Sequence, residues 1–438
     1  MGTPREDAID IFSYALKGAN VERAMEQRVR FNDDGTMEID DRRYVLREYR
    51  RCILIALGKA SAAMTMSFLR HGKQAVERFE GVIVTPEPFD PPSWRFKAFF
   101  GGHPTPNVAS MEAAEEILRL LSTLTQHDFV VFLISGGGSS LVEQFLAPNT
   151  SLETIAATHK ALVESGAPIT AMNAVRKHLS SVKGGRLAAV AAPAEQLTIV
   201  ISDVPVGALD AISSGPTTPD RSTVEEVYRI AEQYRLVELL PPAIGKQITA
   251  RTLPETPKPG ESIFGRSYWS VLLDSSSLEV AAAKRAAELG WPVAIDDTCD
   301  DWSAEKAAEY LVERARILRR EHGRVCLLSA GEVTVAVPRE SKGKGGRNQH
   351  FALLASKLIA ADSVTVLSAG SDGIDGNSQA AGAVVNGETM ARAAREGYPV
   401  DAALAAFDSY SLFSLLEDAI TIGRTQNNLR DLRVLLVS

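Results

Sequence analysis

Four apolar runs of this chain end in turns that carry glycine, serine or charge. Cys52–Leu57 is followed by Gly58-Lys59-Ala60, and Phe129–Ile134 by Ser135-Gly136-Gly137-Gly138-Ser139-Ser140. Leu197–Ile201 leads into Ser202-Asp203-Val204, and Val364–Leu367 into a loop holding Asp372 and Asp375 between glycines. Ligands of open α/β sheets bind where strands give way to such turns. Consecutive glycines expose backbone N–H groups that suit an anion, usually phosphate, although a tight strand-to-helix turn also needs glycine for close packing. Three glycines in a row favour the anion reading, with Ser135, Gly136, Gly137, Gly138 and Ser139 as its candidates. Lys59, at a strand end, can meet a phosphate or carboxylate as a point charge or stand as an ordinary surface cation. Asp372 and Asp375 suit Mg²⁺, which takes carboxylates together with substrate phosphates, or they stabilise their own loop through Asx turns.

Two further basic segments offer cations. In Asn173 to Arg186, the residues Asn173, Arg176, Lys177 and Ser180 share a helix face, and Lys183 follows ahead of Gly184-Gly185. That cluster either receives a polyanion, through Lys177 and Lys183, or is a solvated helix with a glycine cap. Lys342, Lys344, Arg347 and Asn348 lie in a Gly-rich stretch that reads as a phosphate clamp or mobile lid, or as a surface loop. His103, in GGHPTPN, is expected to be structural or to line a substrate. The GxGxxG dinucleotide pattern, the Walker A pattern and the GxSxG elbow are all absent.

Elements that hold these turns follow from patterning. The apolar runs are continuous rather than alternating, as in parallel strands buried on both faces, and helical stripes such as Ser110–Leu124 lie between them. Strand, glycine turn, helix, strand is the grammar of an α/β fold. Prolines at 241, 242, 254, 257 and 259 mark 241–260 as a linker between domains at 1–240 and 261–438. Beyond it, strands are expected at Trp269–Leu273, Val325–Leu328, Val333–Val337, Val364–Leu367, Ala383–Val385 and Leu432–Val437. Several of these are joined too tightly for helices, so a mixed sheet is expected there.

Composition narrows the function. The chain has 438 residues, 47 Lys and Arg against 55 Asp and Glu, and a net charge of −8, which disfavours nonspecific nucleic-acid or anionic-lipid binding. No apolar run reaches the roughly 20 residues of a membrane span, and no secretory leader is expected. Three widely spaced cysteines point to a reducing, cytoplasmic setting.

Taken in order, LGKAS, GGHPTPN, LISGGGSSL, NAVRKHLSSVKGGRLA, ISDVP, GKGGRNQHFAL and GSDGIDGNSQAAGAVV resemble the glycerate 2-kinases of the MOFRL type, whose members are often named hydroxypyruvate reductase. The resemblance implies a Rossmann-like, largely parallel domain and a smaller mixed-sheet domain, with the active site in the cleft between them. It implies ATP-dependent phosphorylation of D-glycerate at its 2-hydroxyl with Mg²⁺, by a monomer or homodimer. The family's catalytic Lys falls on Lys59, its key Arg on Arg347 and the acid of its SDV motif on Asp203. The phosphate loop falls on Gly136–Ser139, and the metal-binding carboxylates on Asp203, Asp372 and Asp375. Lys177, Lys183 and Asn348 complete the expected nucleotide contacts. The chain departs from the family pattern at Val206-Gly207-Ala208, at Asp274-Ser275-Ser276, at Asn377-Ser378-Gln379 and in the closing loop Ile422–Asn428, where Arg424 adds a cation. Those departures leave open a related, more anionic 2-hydroxy acid, an NAD(P)H-dependent hydroxypyruvate reductase, or a non-catalytic paralogue.

Overall fold

A computed structural model describes residues 2–70, 77–205, 207–338, 340–425 and 428–438. The expected turn residue Val206 and the closing-loop residues Gln426 and Asn427 lie outside the described residues. Two compact units are present: Ala24–Leu272, and Met1–Arg23 together with Leu273–Ser438.

In the first unit, β1 (Val29–Phe31), β2 (Thr36–Ile39) and β3 (Arg42–Val45) form a small antiparallel sheet. The main sheet holds β4 (Cys52–Leu57), β5 (Phe79–Thr85), β6 (Phe96–Phe100), β7 (Phe129–Ile134), β8 (Glu195–Ile201) and β9 (Ser267–Leu273), in the order β6-β5-β4-β7-β8-β9. Strands β6 through β8 are all parallel. Every residue of β4 and β7 is buried, which is why their sequence is apolar without alternation. Helix Val108–Leu121 covers one face, burying Ala113, Ala114, Ile117 and Leu121, and starts at an Asn107/Ser110 capping box.

The second unit carries a mixed sheet of β10 (Val293–Ile295), β11 (Val325–Ala330), β12 (Val364–Gly370), β13 (Gly382–Asn386), β14 (Ala419–Ile420) and β15 (Asp431–Val437), ordered β10-β11-β15-β12-β13-β14. Only β10 and β11 pair in parallel; the other pairings are antiparallel, so the mixed character expected from the short connections is present.

Four expectations need correction. The segment 241–260 is not a linker: Pro241 and Pro242 open helix Pro242–Thr249, where a missing N–H does no harm. Ile244, Ile248 and Leu253 then pack with Tyr228, Leu236 and Leu240 in the core of the first unit. The boundary therefore falls near Leu273, so Trp269–Leu273 belongs to the first sheet rather than the second. The chain's start also changes unit, because helix Pro4–Gly18 buries Ala8, Ile11, Phe12 and Ala15 and Asp7 accepts a hydrogen bond from Trp291 Nε1 at 2.9 Å. Val333–Val337 forms no strand; Thr334 alone makes a bridge, to Ser303, and Val337 is exposed. Cys52, Cys299 and Cys326 are buried free thiols, and among the described residues no helix is long and apolar enough to cross a membrane.

The packed role of 241–260 has a measurable consequence. Ile248→Ala should destabilise the first unit by about 2–5 kcal/mol, as for a large-to-small change in a core. A denaturation midpoint unchanged from wild type would return this segment to the status of a surface connector.

Candidate active site

Parallel register brings the ends of three strands level. Leu57 lies opposite Val84 and Ile134, and Ile134 opposite Val200, so the turns after β4, β7 and β8 emerge at one edge. There they interlock. Gly58 has φ +119°, and a Cβ on it would stand 2.3 Å from Ser135 Oγ. The Lys59 N–H donates to Gly136 O at 2.9 Å, and the Ala60 N–H donates to Ser135 Oγ at 2.9 Å. Ser135 is thus a buried brace between turns rather than a phosphate contact, because its hydroxyl is already engaged.

Each of the three glycines makes room for a different group. A Cβ on Gly136 would lie 1.8 Å from a carboxylate oxygen of Asp203. One on Gly137, at φ +85°, would lie 3.1 Å from Lys59 Cγ and 3.2 Å from His103 Cδ2. One on Gly138 would lie 2.4 Å from Ser213 Oγ, which itself donates to Ser135 O at 2.7 Å. The turn therefore collects Lys59, His103 and Asp203 around two residues that have no side chain. Helix Gly138–Leu141 is a single turn, so the anion reading rests on the cation and the bare backbone rather than on a helix dipole. Ser139 is half-buried beside it. Lys59 is exposed and makes no ion pair among the described residues.

His103 comes from the loop between β6 and helix Val108–Leu121. The Gly102 N–H donates to Ser110 Oγ at 2.9 Å and Asn107 Nδ2 donates to Phe100 O at 3.0 Å, which fixes both ends of that loop. Partial burial, and then the nearby Lys59 ammonium, hold the imidazole below its ordinary pKa, so it is neutral at pH 7.

The basic cluster after Asn173 has another role than nucleotide binding. Lys177 is buried and donates to Asp210 at 3.2 Å and Asp220 at 3.1 Å. Lys183 is 1% exposed and pairs with Glu143, itself fully buried, which also accepts from Ser180 at 2.7 Å and meets His159 at 3.1 Å. Neither ammonium is available to a phosphate, because each neutralises a carboxylate inside the fold. The alternative of a solvated basic helix fails for the same reason.

In the other unit, Arg347 is the first residue of helix Arg347–Leu358. Its Nε and Nη2 donate to Asp431 at 2.6 and 3.1 Å, and Nη2 also donates to Glu332 at 2.6 Å. These charges hold the guanidinium well above its ordinary pKa, while burial, and next the Asp431 charge, raise that of Glu332. A cavity of about 670 Å³ is lined here by Arg347, Glu332, Asp372, His350, Asn377 and Phe407 among others.

Asp375 is buried and accepts from the backbone N–H groups of Asn348 and Gln349 at 3.1 and 2.8 Å, capping the helix that carries Arg347. Burial pushes its carboxyl up to about 6. Asn348 is buried as well, accepting from Ser368 Oγ at 2.6 Å, so it holds the loop rather than a nucleotide. Asp372 accepts from the Ile374 N–H at 3.1 Å in an Asx turn. Among the described residues no three His, Cys, Asp or Glu side chains form a group fit to hold a metal ion. Of the expected metal carboxylates, Asp203 belongs to the first unit and Asp372 and Asp375 to the second. Arg424, for which the sequence alone also allowed a pairing with Asp431, is exposed, and Asp431 is bound by Arg347.

Residues 7–249 match a family described as a domain of unknown function, DUF4147, and residues 325–431 match the MOFRL family. A protein of Agrobacterium vitis that carries the provisional name hydroxypyruvate reductase is 38% identical over 88% of this chain and 99% of its own. The glycerate 2-kinase of Pyrococcus horikoshii is 30% identical over 99% of this chain and 97% of its own. The crystal structure of a glycerate kinase from Thermotoga maritima superposes with a TM-score of 0.84 at 31% identity, covering 99% of each chain.

The chain belongs to the MOFRL-type glycerate kinase family.

Of the positions that the family resemblance singled out, Lys59, Gly136–Ser139 and Asp203 are gathered where the turns after β4, β7 and β8 meet, and Arg347, in the other unit, is bound by Asp431 and Glu332. Sequence reasoning missed Glu332, Asp431 and Ser213. Glu332 had the same signal as Lys59, a charge after a glycine at a strand end, in Ala330-Gly331-Glu332. Ser213 had none, since its φ of +50° and its bond to Ser135 are tertiary facts.

The buried Lys183–Glu143 pair separates a structural role from a binding one. Lys183→Ala should cost about 3–5 kcal/mol of stability, because it strands a buried carboxylate. A variant with wild-type thermal stability and a raised KM for ATP would show that Lys183 contacts nucleotide after all.

Proposed function

We propose that this protein transfers the γ-phosphoryl group of ATP to the 2-hydroxyl of D-glycerate, giving 2-phosphoglycerate. The observation that carries this reading is the convergence of Lys59, His103 and Asp203 on Gly136 and Gly137. Phosphoryl transfer needs positioned cations and backbone donors rather than a covalent nucleophile, and this turn supplies that chemistry. Family membership agrees with it, since relatives bear the names glycerate 2-kinase and glycerate kinase.

In this reading the ammonium of Lys59, which makes no ion pair among the described residues, meets the transferring phosphoryl group, and the side-chain-free backbone of Gly136–Gly138 lets phosphate oxygens approach. Asp203 orients the acceptor hydroxyl. Arg347, held on one edge by Asp431 and Glu332, offers its remaining donors to an anionic group. We assign the divalent ion to the nucleotide, entering on its phosphates as part of the substrate. The setting we propose is cytoplasmic, with the protein acting as a monomer or homodimer on a small molecule.

One observation favours a second acceptor. Arg424 presents an exposed guanidinium, and its Cα lies 3.3 Å from the Cβ position of Gly373, next to the cavity-lining Asp372. A cation there suits a dicarboxylic hydroxy acid such as tartronate or tartrate better than it suits glycerate.

Steady-state ADP formation with D-glycerate, tartronate and tartrate, alongside NADH oxidation with hydroxypyruvate, tests the reading. Lys59→Ala and Arg347→Ala should each lower kcat by about 10²–10³-fold, as expected for loss of a preorganised cation. Less than a tenfold loss for both would remove them from catalysis, and hydroxypyruvate-dependent NADH oxidation without ADP formation would replace the kinase by a reductase.

A further inference from the structure

His103 is a titratable group at the turn that the roles above leave unused. Its ring edge, Cδ2 and Nε2, stands 3.2 and 3.3 Å from where a Gly137 Cβ would be, on the same glycine that accommodates Lys59. The loop that carries it is fixed at Gly102 and Asn107, yet the residue itself is exposed and its ring makes no hydrogen bond among the described residues. His178, by contrast, has partners for both nitrogens, Ala174 O and Glu255 at 2.8 Å each. An imidazole held in place and left without a partner beside a cation is arranged to exchange a proton with something that is not protein.

We propose that His103 is the general base of the reaction, accepting the proton of the acceptor's hydroxyl. This rests on the kinase reading above. As the 2-hydroxyl of glycerate gives its proton to the imidazole nitrogen facing Gly137, the oxygen's electron pair forms the bond to the γ-phosphorus. The bond from that phosphorus to the bridging oxygen breaks, and its electrons leave with ADP. The imidazolium then returns its proton to water. Lys59 serves this step twice: after burial, its charge favours the neutral imidazole beforehand, and it balances the phosphoryl oxygens during transfer. The charged groups around the ring are Lys59 on the turn after β4 and Asp203 over the adjacent Gly136 on the turn after β8; the turn after β7 contributes glycine and serine alone. A carboxylate is an ordinary base of pKa near 4, whereas a neutral histidine has a pKa closer to working pH and is the stronger general base there.

The sign of the pH dependence follows. A base must be unprotonated, so kcat/KM should rise with pH along a unit slope and level off above an apparent pKa lower than histidine's ordinary 6.5. The test is the pH–rate profile of the full-length protein with ATP and D-glycerate, for wild type, His103→Gln, His103→Ala and Asp203→Asn, with thermal unfolding of each. The expected result is a loss in kcat of about 10²–10⁴-fold for both His103 variants. Their KM for ATP should stay within threefold, the acid limb should vanish from the residual activity, and added imidazole should partly rescue His103→Ala. An active wild type with less than a tenfold loss in His103→Gln overturns this proposal alone. So does an acid limb that persists in His103→Gln, or one that disappears in Asp203→Asn and not in His103→Gln. A wild type that phosphorylates no hydroxy acid at any pH overturns the kinase reading, and this proposal with it.

Discussion

The site depends on two missing side chains. At Gly136 and Gly137 the chain turns at the end of the central strand β7, and the volume that a Cβ would fill there is taken by Asp203 on one side and by Lys59 with His103 on the other. An alanine at Gly136 would put its methyl 1.8 Å from the Asp203 carboxylate, so that carboxylate would have to leave its place. Because β4, β7 and β8 are parallel and in register, their following turns meet at this point. The three side chains gathered there, at positions 59, 103 and 203, come from segments spread over more than 140 residues of sequence.

Charge inside the fold serves a different purpose. Glu143 with Lys183, and Asp210 and Asp220 with Lys177, tie loops of the first unit to its core. Such pairs add little net stability over apolar packing, but breaking one leaves a buried charge, which makes them effective at fixing a single arrangement. Asp375 does similar work in the second unit by capping the helix of Arg347. The cations left for an anionic substrate are those outside these pairs, and Lys59 is the one that stands on the glycine turn.

Much of this was legible in the sequence, for reasons that also explain the failures. Strands β4 and β7 were delimited to the residue because burial on both faces leaves an uninterrupted apolar run. The edge strand β6 and the short β1–β3 were not seen, because their burial alternates or is partial. Residue types report charge but not depth, so Lys177, Lys183, Asn348 and Asp375 read as ligands. Their partners lie as far as 43 residues away, as for Lys177 and Asp220, and nothing local reveals them. Proline density misled at 241–260, where two of the prolines begin a helix whose apolar face is buried. The glycine turn was read as an anion site on the strength of its glycines; what the sequence did not reveal is that a Cβ at Gly136, Gly137 or Gly138 would meet Asp203, Lys59 with His103, or Ser213.

The central claim is that this turn carries phosphoryl transfer to the 2-hydroxyl of a hydroxy acid. The most direct measurement is phosphorus NMR of a mixture of the protein, magnesium, ATP and D-glycerate. The account predicts loss of the γ-phosphate signal, growth of ADP and one new phosphomonoester resonance coupled to the proton on carbon 2. A new ester coupled instead to the carbon 3 protons, or an ATP spectrum unchanged while NADH is consumed with hydroxypyruvate, would contradict it.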